Sequence, residues 1–189
     1  MPISRPLILS FALALGAAGC SDKSGSAIGP DTASAQTTKP APEPAPLPAD
    51  ASAEAKLADA YLRLSLRLSS DDAAGAKAAA AKLGEAAGAA AGQQAAQIKA
   101  AAGEVAAAAD LTAQRSAFER ASNALIAMVE ASGNPLPRIV YVVRCPMAFD
   151  NRGARWLQDG SAIRNPYFGA SMLTCGSVET QYAAGARKP

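Results

Sequence analysis

Alanine supplies 49 of the 189 residues and is densest between residues 73 and 109. Alanine is the best helix former and loses no side-chain entropy on folding, but it buries little area. Half of the sequence is apolar, yet without alanine that share falls to about a quarter, thin for a large core. A big sandwich or barrel is therefore excluded. The composition predicts a mainly α fold: an alanine-rich, up-and-down helical bundle followed by a small irregular α+β motif with a short strand. The chain has no histidine, which removes His-based triads, His general bases and His-ligated zinc or haem. A net charge of +2 excludes a strongly electrostatic nucleic-acid binder.

Residues 1–20 read MPISRPLILSFALALGAAGC. Arg5 supplies a basic start, Leu7 to Leu15 a short apolar stretch, and Ala17, Ala18 and Gly19 small residues directly before Cys20. The stretch is too short for a mature membrane span. It resembles a bacterial lipoprotein signal, which implies cleavage before Cys20 and lipid attachment (a palmitate-type acyl anchor) on its sulfur. Ser21 rather than Asp after that cysteine implies the outer membrane, with the protein facing the periplasm. Residues 21–51 are rich in Pro, Ala and Ser, with prolines alternating from Pro40 to Pro48. Such a segment cannot bury a core and is read as a disordered tether. A single folded domain is expected over 52–183, with the bundle in 52–134 and a Cys/Met motif in 136–183.

Leu57, Tyr61, Leu64 and Leu68 recur at helical spacing and predict a helix over 52–69. Ser70 is read as the cap of a second helix, with Asp71 and Asp72 in its first turn. Gly84, Gly88 and Gly92 predict fraying or a turn before a third helix over 93–108. Asp110 or Thr112 then caps a fourth, with the stripe Arg115, Phe118, Ser122, Leu125, Ile126 and Val129. Gly133-Asn134-Pro135 ends it.

Beyond Leu136 lie six of the nine aromatic residues. Arg138 to Arg144, RIVYVVR, has the β-branched character of a strand. Four sulfurs follow: Cys145, Met147, Met172 and Cys175. Thiolate and thioether ligands suit copper(I), and by the same softness silver(I). An exported chain with two cysteines besides Cys20 also suits a Cys145–Cys175 disulfide, worth about 3–4 kcal/mol in the chain-entropy model. Both readings stand on residue types, and they can coexist. The carboxylates Asp150 and Asp159 are read as solvated, and no catalytic site is expected.

The run from Tyr141 to Glu179 resembles the signature of an uncharacterised bacterial domain family. The matching elements are Tyr141, Cys145-Pro146-Met147, Gly153, Trp156-Leu157, Asn165-Pro166-Tyr167-Phe168-Gly169, Met172-Leu173 and Cys175-Gly176. Tyr61-Leu62, Asp71-Asp72-Ala73 and Arg115 with Phe118 and Ser122 are similar in the helical part. That family occurs in exported proteins and lipoproteins, and attached to periplasmic adaptor subunits of copper/silver efflux systems. The resemblance implies metal handling in the cell envelope, with a heavy-metal efflux adaptor as the possible partner. On this reading Cys145, Met147, Met172 and Cys175 hold copper(I) or silver(I), and Tyr141, Trp156 and Tyr167 shield the site. Asn165 and Pro166 set the turn that returns Met172 to Cys145. The alternative is a non-catalytic module, stapled by the cysteines, whose Asn165 to Phe168 loop docks a protein partner.

Overall fold

The structure, a computed structural model, describes residues 42–186. The signal peptide, Cys20 and residues 21–41 of the tether lie outside the described residues.

Four helices form close to their expected positions. Ser52 caps α1 (Ala53–Ser69), its hydroxyl accepting from the Ala55 N–H at 3.2 Å. Asp72 caps α2 (Ala73–Ala89) through the Gly75 N–H at 2.8 Å, and Asp110 caps α4 (Leu111–Ser132) through the Ala113 N–H at 2.8 Å. Gly92 precedes α3 (Gln93–Ala107) at φ +102, a turn that only glycine adopts without strain. One expectation is corrected here. Ser70 does not cap α2; its N–H bonds to the Leu66 and Arg67 carbonyls and closes α1. Asp71 is outside the first turn as well, at φ +56, so the chain reverses there and leaves Asp72 to cap.

Successive helices pack side by side, and α1 and α4 also touch. Leu57, Tyr61, Leu64 and Leu68 of α1 meet Phe118, Leu125, Ile126 and Val129 of α4 in one core. The contribution of α2 is Ala76, Ala79, Ala80 and Ala87 around the single Leu83; that of α3 is Ile98 and Val105 among alanines. Small residues bring these two axes close: a Cβ built on Gly84 would lie 3.8 Å from that of Ala102. Among the described residues no helix is long and apolar enough to cross a membrane.

The C-terminal part carries three strands where the sequence pattern indicated one. The strands β1 (Val140–Cys145), β2 (Ala154–Asp159) and β3 (Ser177–Tyr182) form an antiparallel sheet in the order β2-β1-β3. Strand β1 starts two residues later than its sequence run because Arg138 is used elsewhere: its guanidinium pairs with Asp59 of α1 at 2.5 Å and Asp159 of β2 at 3.2 Å. The sheet lies on α4 and α1 through β2. The Tyr61 hydroxyl marks that seam, 2.7 Å from the Ser122 hydroxyl and accepting from the Leu157 N–H at 3.3 Å. Asn134, fully buried, joins the end of α4 to the sheet by donating to the carbonyls of Arg138 and Ala183.

Residues 42–51, the end of the proline-rich segment, lie along α1. Glu43 pairs with Arg63 and Arg67, Pro44 is buried, and Leu47 packs on the core.

Candidate functional site

The register of the sheet explains how two cysteines thirty positions apart meet. Arg144 pairs with Ser177 at the end of the β1–β3 ladder. One further step outward sets Cys145 opposite Gly176, beside Cys175. The two Sγ atoms lie 2.7 Å apart. A disulfide bond is about 2.05 Å long, so closing the pair requires a small movement. Cys145 is fully buried and Cys175 half-buried.

Gly176 makes the approach possible. At φ +143, a Cβ there would sit 2.9 Å from the Trp156 ring, 3.1 Å from the Arg144 carbonyl and 3.2 Å from Val143. The Cys175 backbone is fixed on both sides, its N–H donating to the Met172 carbonyl at 3.1 Å and its carbonyl accepting from the Asn165 amide at 2.9 Å. The Cys145 thiol, together with partial burial, pushes the Cys175 thiol up to about 11, while the Met147 N–H acts against the rise. Iodoacetamide labelling of the reduced protein is therefore expected to keep accelerating above pH 9, because the reactive thiolate is still being formed there. In Cys145→Ala the largest cause is gone, and the labelling profile should move to lower pH. An unchanged profile would contradict this assignment.

The other predicted residues divide into groups. Met147 directly follows the Cys145-Pro146 pair; its backbone faces Cys175 and its side chain is 48% exposed. Met172 is half-buried and ends a short 3₁₀ turn, Gly169–Met172. Trp156 is fully buried and Tyr167 nearly so, in edge-to-face contact with ring centres 5.9 Å apart. Tyr141 is not brought to the sulfurs. It lies four positions back along β1, roughly 13 Å at strand rise, and lines a surface groove of about 600 Å³ with Pro42, Ile139 and Arg164.

Asn165, Pro166 and Tyr167 are buried, and Phe168 is half-buried. Asn165 organises the loop, with backbone bonds to Leu173 and Gly169 and a side-chain oxygen accepting from the Tyr167 N–H. Tyr167 donates to the Arg155 carbonyl at 2.6 Å, and burial raises its pKa well above the usual phenol range.

Two features escaped the sequence reading. The first is a clasp from the bundle. Arg115 of α4 donates to the Pro166 carbonyl at 2.9 Å and to Leu68 at the end of α1 at 3.1 Å, and pairs with Asp71. The other Asp71 oxygen accepts the Ala170 N–H at 2.8 Å. The second is a left-handed turn after Met147. Phe149, Asp150 and Asn151 all have φ between +52 and +65. Each non-glycine residue in that region costs about 1–2 kcal/mol, less for Asp and Asn. The Phe149 ring holds the turn by packing on Tyr167 at 5.3 Å and under the Arg152 guanidinium at 5.1 Å. The doublet Asp150-Asn151 before Gly153 is the only sequence signal for it.

Among the described residues no group of three or more His, Cys, Asp or Glu could hold a metal ion. Any metal here rests on the two cysteines and the neighbouring thioethers, a donor set for soft monovalent ions and unsuited to zinc or calcium.

In comparison with known proteins, neither a curated protein nor a solved structure matches the chain. Residues 57–135, from within α1 to three residues beyond α4, match the model of a family described as "Protein of unknown function (DUF3347)".

Proposed function

We propose that this protein is a non-catalytic envelope lipoprotein, anchored to the outer membrane through Cys20, that binds copper(I) or silver(I) for sequestration or transfer to efflux. The observation that carries the reading is the meeting of Cys145 and Cys175, 2.7 Å apart, with the backbones of Met147 and Met172 both against Cys175. Cys145 and Met147 stand at the end of β1, and Met172 and Cys175 precede β3, so four sulfur-bearing residues border one end of a small sheet, where Gly176 lies against the Trp156 ring. Thiolates would supply the strong bonds, and the thioethers would add soft ligands that need no deprotonation. Admitting an ion parts the two sulfurs.

The test uses the lipid-free chain from Ser21, reduced and titrated with copper(I) against a competing chelator. About one equivalent is expected to bind and protect both cysteines from alkylation. Trp156, the only tryptophan, should report the event by a change in fluorescence. The double variant Met147→Leu, Met172→Leu should weaken binding roughly tenfold or more if the thioethers are ligands. Failure to bind copper against the chelator would sink the reading.

The short sulfur separation favours a second reading, in which the pair is closed as a disulfide and the protein is a stapled interaction module. Two thiols appearing only after reduction, without copper binding, would select it.

A further inference from the structure

We infer that the cysteine pair is a site of thiol–disulfide exchange with a reduced protein dithiol, and that Cys175 is the sulfur that the dithiol attacks. This deepens the proposed metal reading, since it supplies the control of the same pair: an ion cannot enter between sulfurs that are bonded to each other.

Access to the two sulfurs is unequal. A thiolate must approach the attacked sulfur from the side opposite the breaking S–S bond. Cys145 ends the central strand, flanked by Ala154 on β2 and by Gly176, and is fully buried. Cys175 is half-buried, in the loop that follows β2 and continues into the edge strand β3, next to the exposed Thr174. The surroundings also suit a protein over a small reductant. Among the described residues three large apolar side chains are exposed, and two of them flank this loop: Met147 at 48% and Val178 at 44%. Met147 directly follows Cys145-Pro146, and Val178 is three positions beyond Cys175, so both stand on the segments that a docking protein would meet at this sulfur.

The exchange balances as follows. One thiolate of the dithiol attacks Cys175 Sγ; a new S–S bond forms there and the Cys145–Cys175 bond breaks. The leaving electron pair stays on Cys145 Sγ, which takes up a proton. The second thiolate of the dithiol then attacks its neighbour's sulfur in the mixed disulfide and releases Cys175, which is protonated in turn. Two electrons and two protons reach the cysteine pair, and the dithiol becomes a disulfide.

The experiment uses the full-length protein in detergent, oxidised and then mixed with a thioredoxin-type oxidoreductase whose second active-site cysteine is replaced by alanine. That probe stalls at the mixed disulfide, which peptide mass spectrometry locates. The adduct is expected on Cys175. In parallel, Cys175 in a Cys145→Ala variant should react with an aromatic disulfide roughly a hundredfold faster than Cys145 in a Cys175→Ala variant. An adduct on Cys145, equal rates in the two variants, or a pair that cannot be oxidised would each overturn the inference. Copper titration of the reduced protein separates the two claims. Trapping on Cys175 without copper binding leaves the exchange standing and removes the metal reading. Copper binding with trapping on Cys145 does the reverse.

Discussion

Phe118→Ala is expected to lower the unfolding free energy by about 3–5 kcal/mol, the usual cost of emptying a buried aromatic site. Phe118 is fully buried where the two parts of the fold meet. Its ring stacks on Tyr61 of α1 at 5.0 Å and tilts against Tyr167 of the sulfur loop at 5.9 Å. Tyr167 in turn meets Trp156 and Phe149. A cavity at Phe118 therefore loosens the bundle and the support of the loop together, and neither neighbour can fill it without leaving its own hydrogen bond. Urea unfolding followed by circular dichroism gives the value, and Phe118→Leu should retain about half of the lost stability. A loss below about 1 kcal/mol would mean that the ring is not central to the core.

Gly169→Ala is expected to cost on the order of 3 kcal/mol and to release the loop from the bundle. Gly169 has φ +57, and a Cβ there would lie 2.0 Å from an Asp71 carboxylate oxygen and 2.6 Å from the Arg115 guanidinium. Asp71 would have to withdraw, and both its pairing with Arg115 and its bond from the Ala170 N–H would go. Gly160→Ala is the matched control. Its φ is +80, but nothing lies within 4 Å of the added atom, so it carries the backbone cost alone, about 1–2 kcal/mol. Hydrogen exchange over residues 163–176 should quicken in Gly169→Ala and not in Gly160→Ala. Equal behaviour of the two variants would remove the clasp from the account.

The helices were legible because their signals are local. The stripe from Leu57 to Leu68, the cap expected at Asp110 or Thr112 and found at Asp110, and the Gly133-Asn134-Pro135 stop act within a few residues of the bonds they make. Strand β1 was legible for the same reason, as a run of valines around Tyr141. Strand β2 was not, because Ala154, Arg155, Trp156, Leu157 and Gln158 do not alternate; four of those five are buried, since one face lies on α4 and Gln158 turns its amide inward to Trp156 and Gly160. Strand β3 is exposed almost throughout and is specified by pairing with β1 alone. Four sulfurs could be named from residue types, but the adjacency of Cys145 and Cys175 depends on strand register, which is non-local. The clasp depends on Arg115, Asp71 and Gly169, residues up to 98 positions apart (Asp71 to Gly169), and no periodicity records such a meeting.

The alanine lining between α2 and α3 also sets how the protein responds to temperature. The heat capacity change of unfolding scales with the apolar surface newly exposed to water. This hairpin exposes little of it, because its buried positions are mostly methyl groups around Leu83, Ile98 and Val105. Its share of the stability curve is accordingly low and flat. On cooling it is spared much of the weakening that a leucine-rich interface of the same length undergoes. On warming it has few rotamers left to free beyond the backbone itself, so the larger buried side chains of α1 and α4, Phe118 among them, supply most of the curvature.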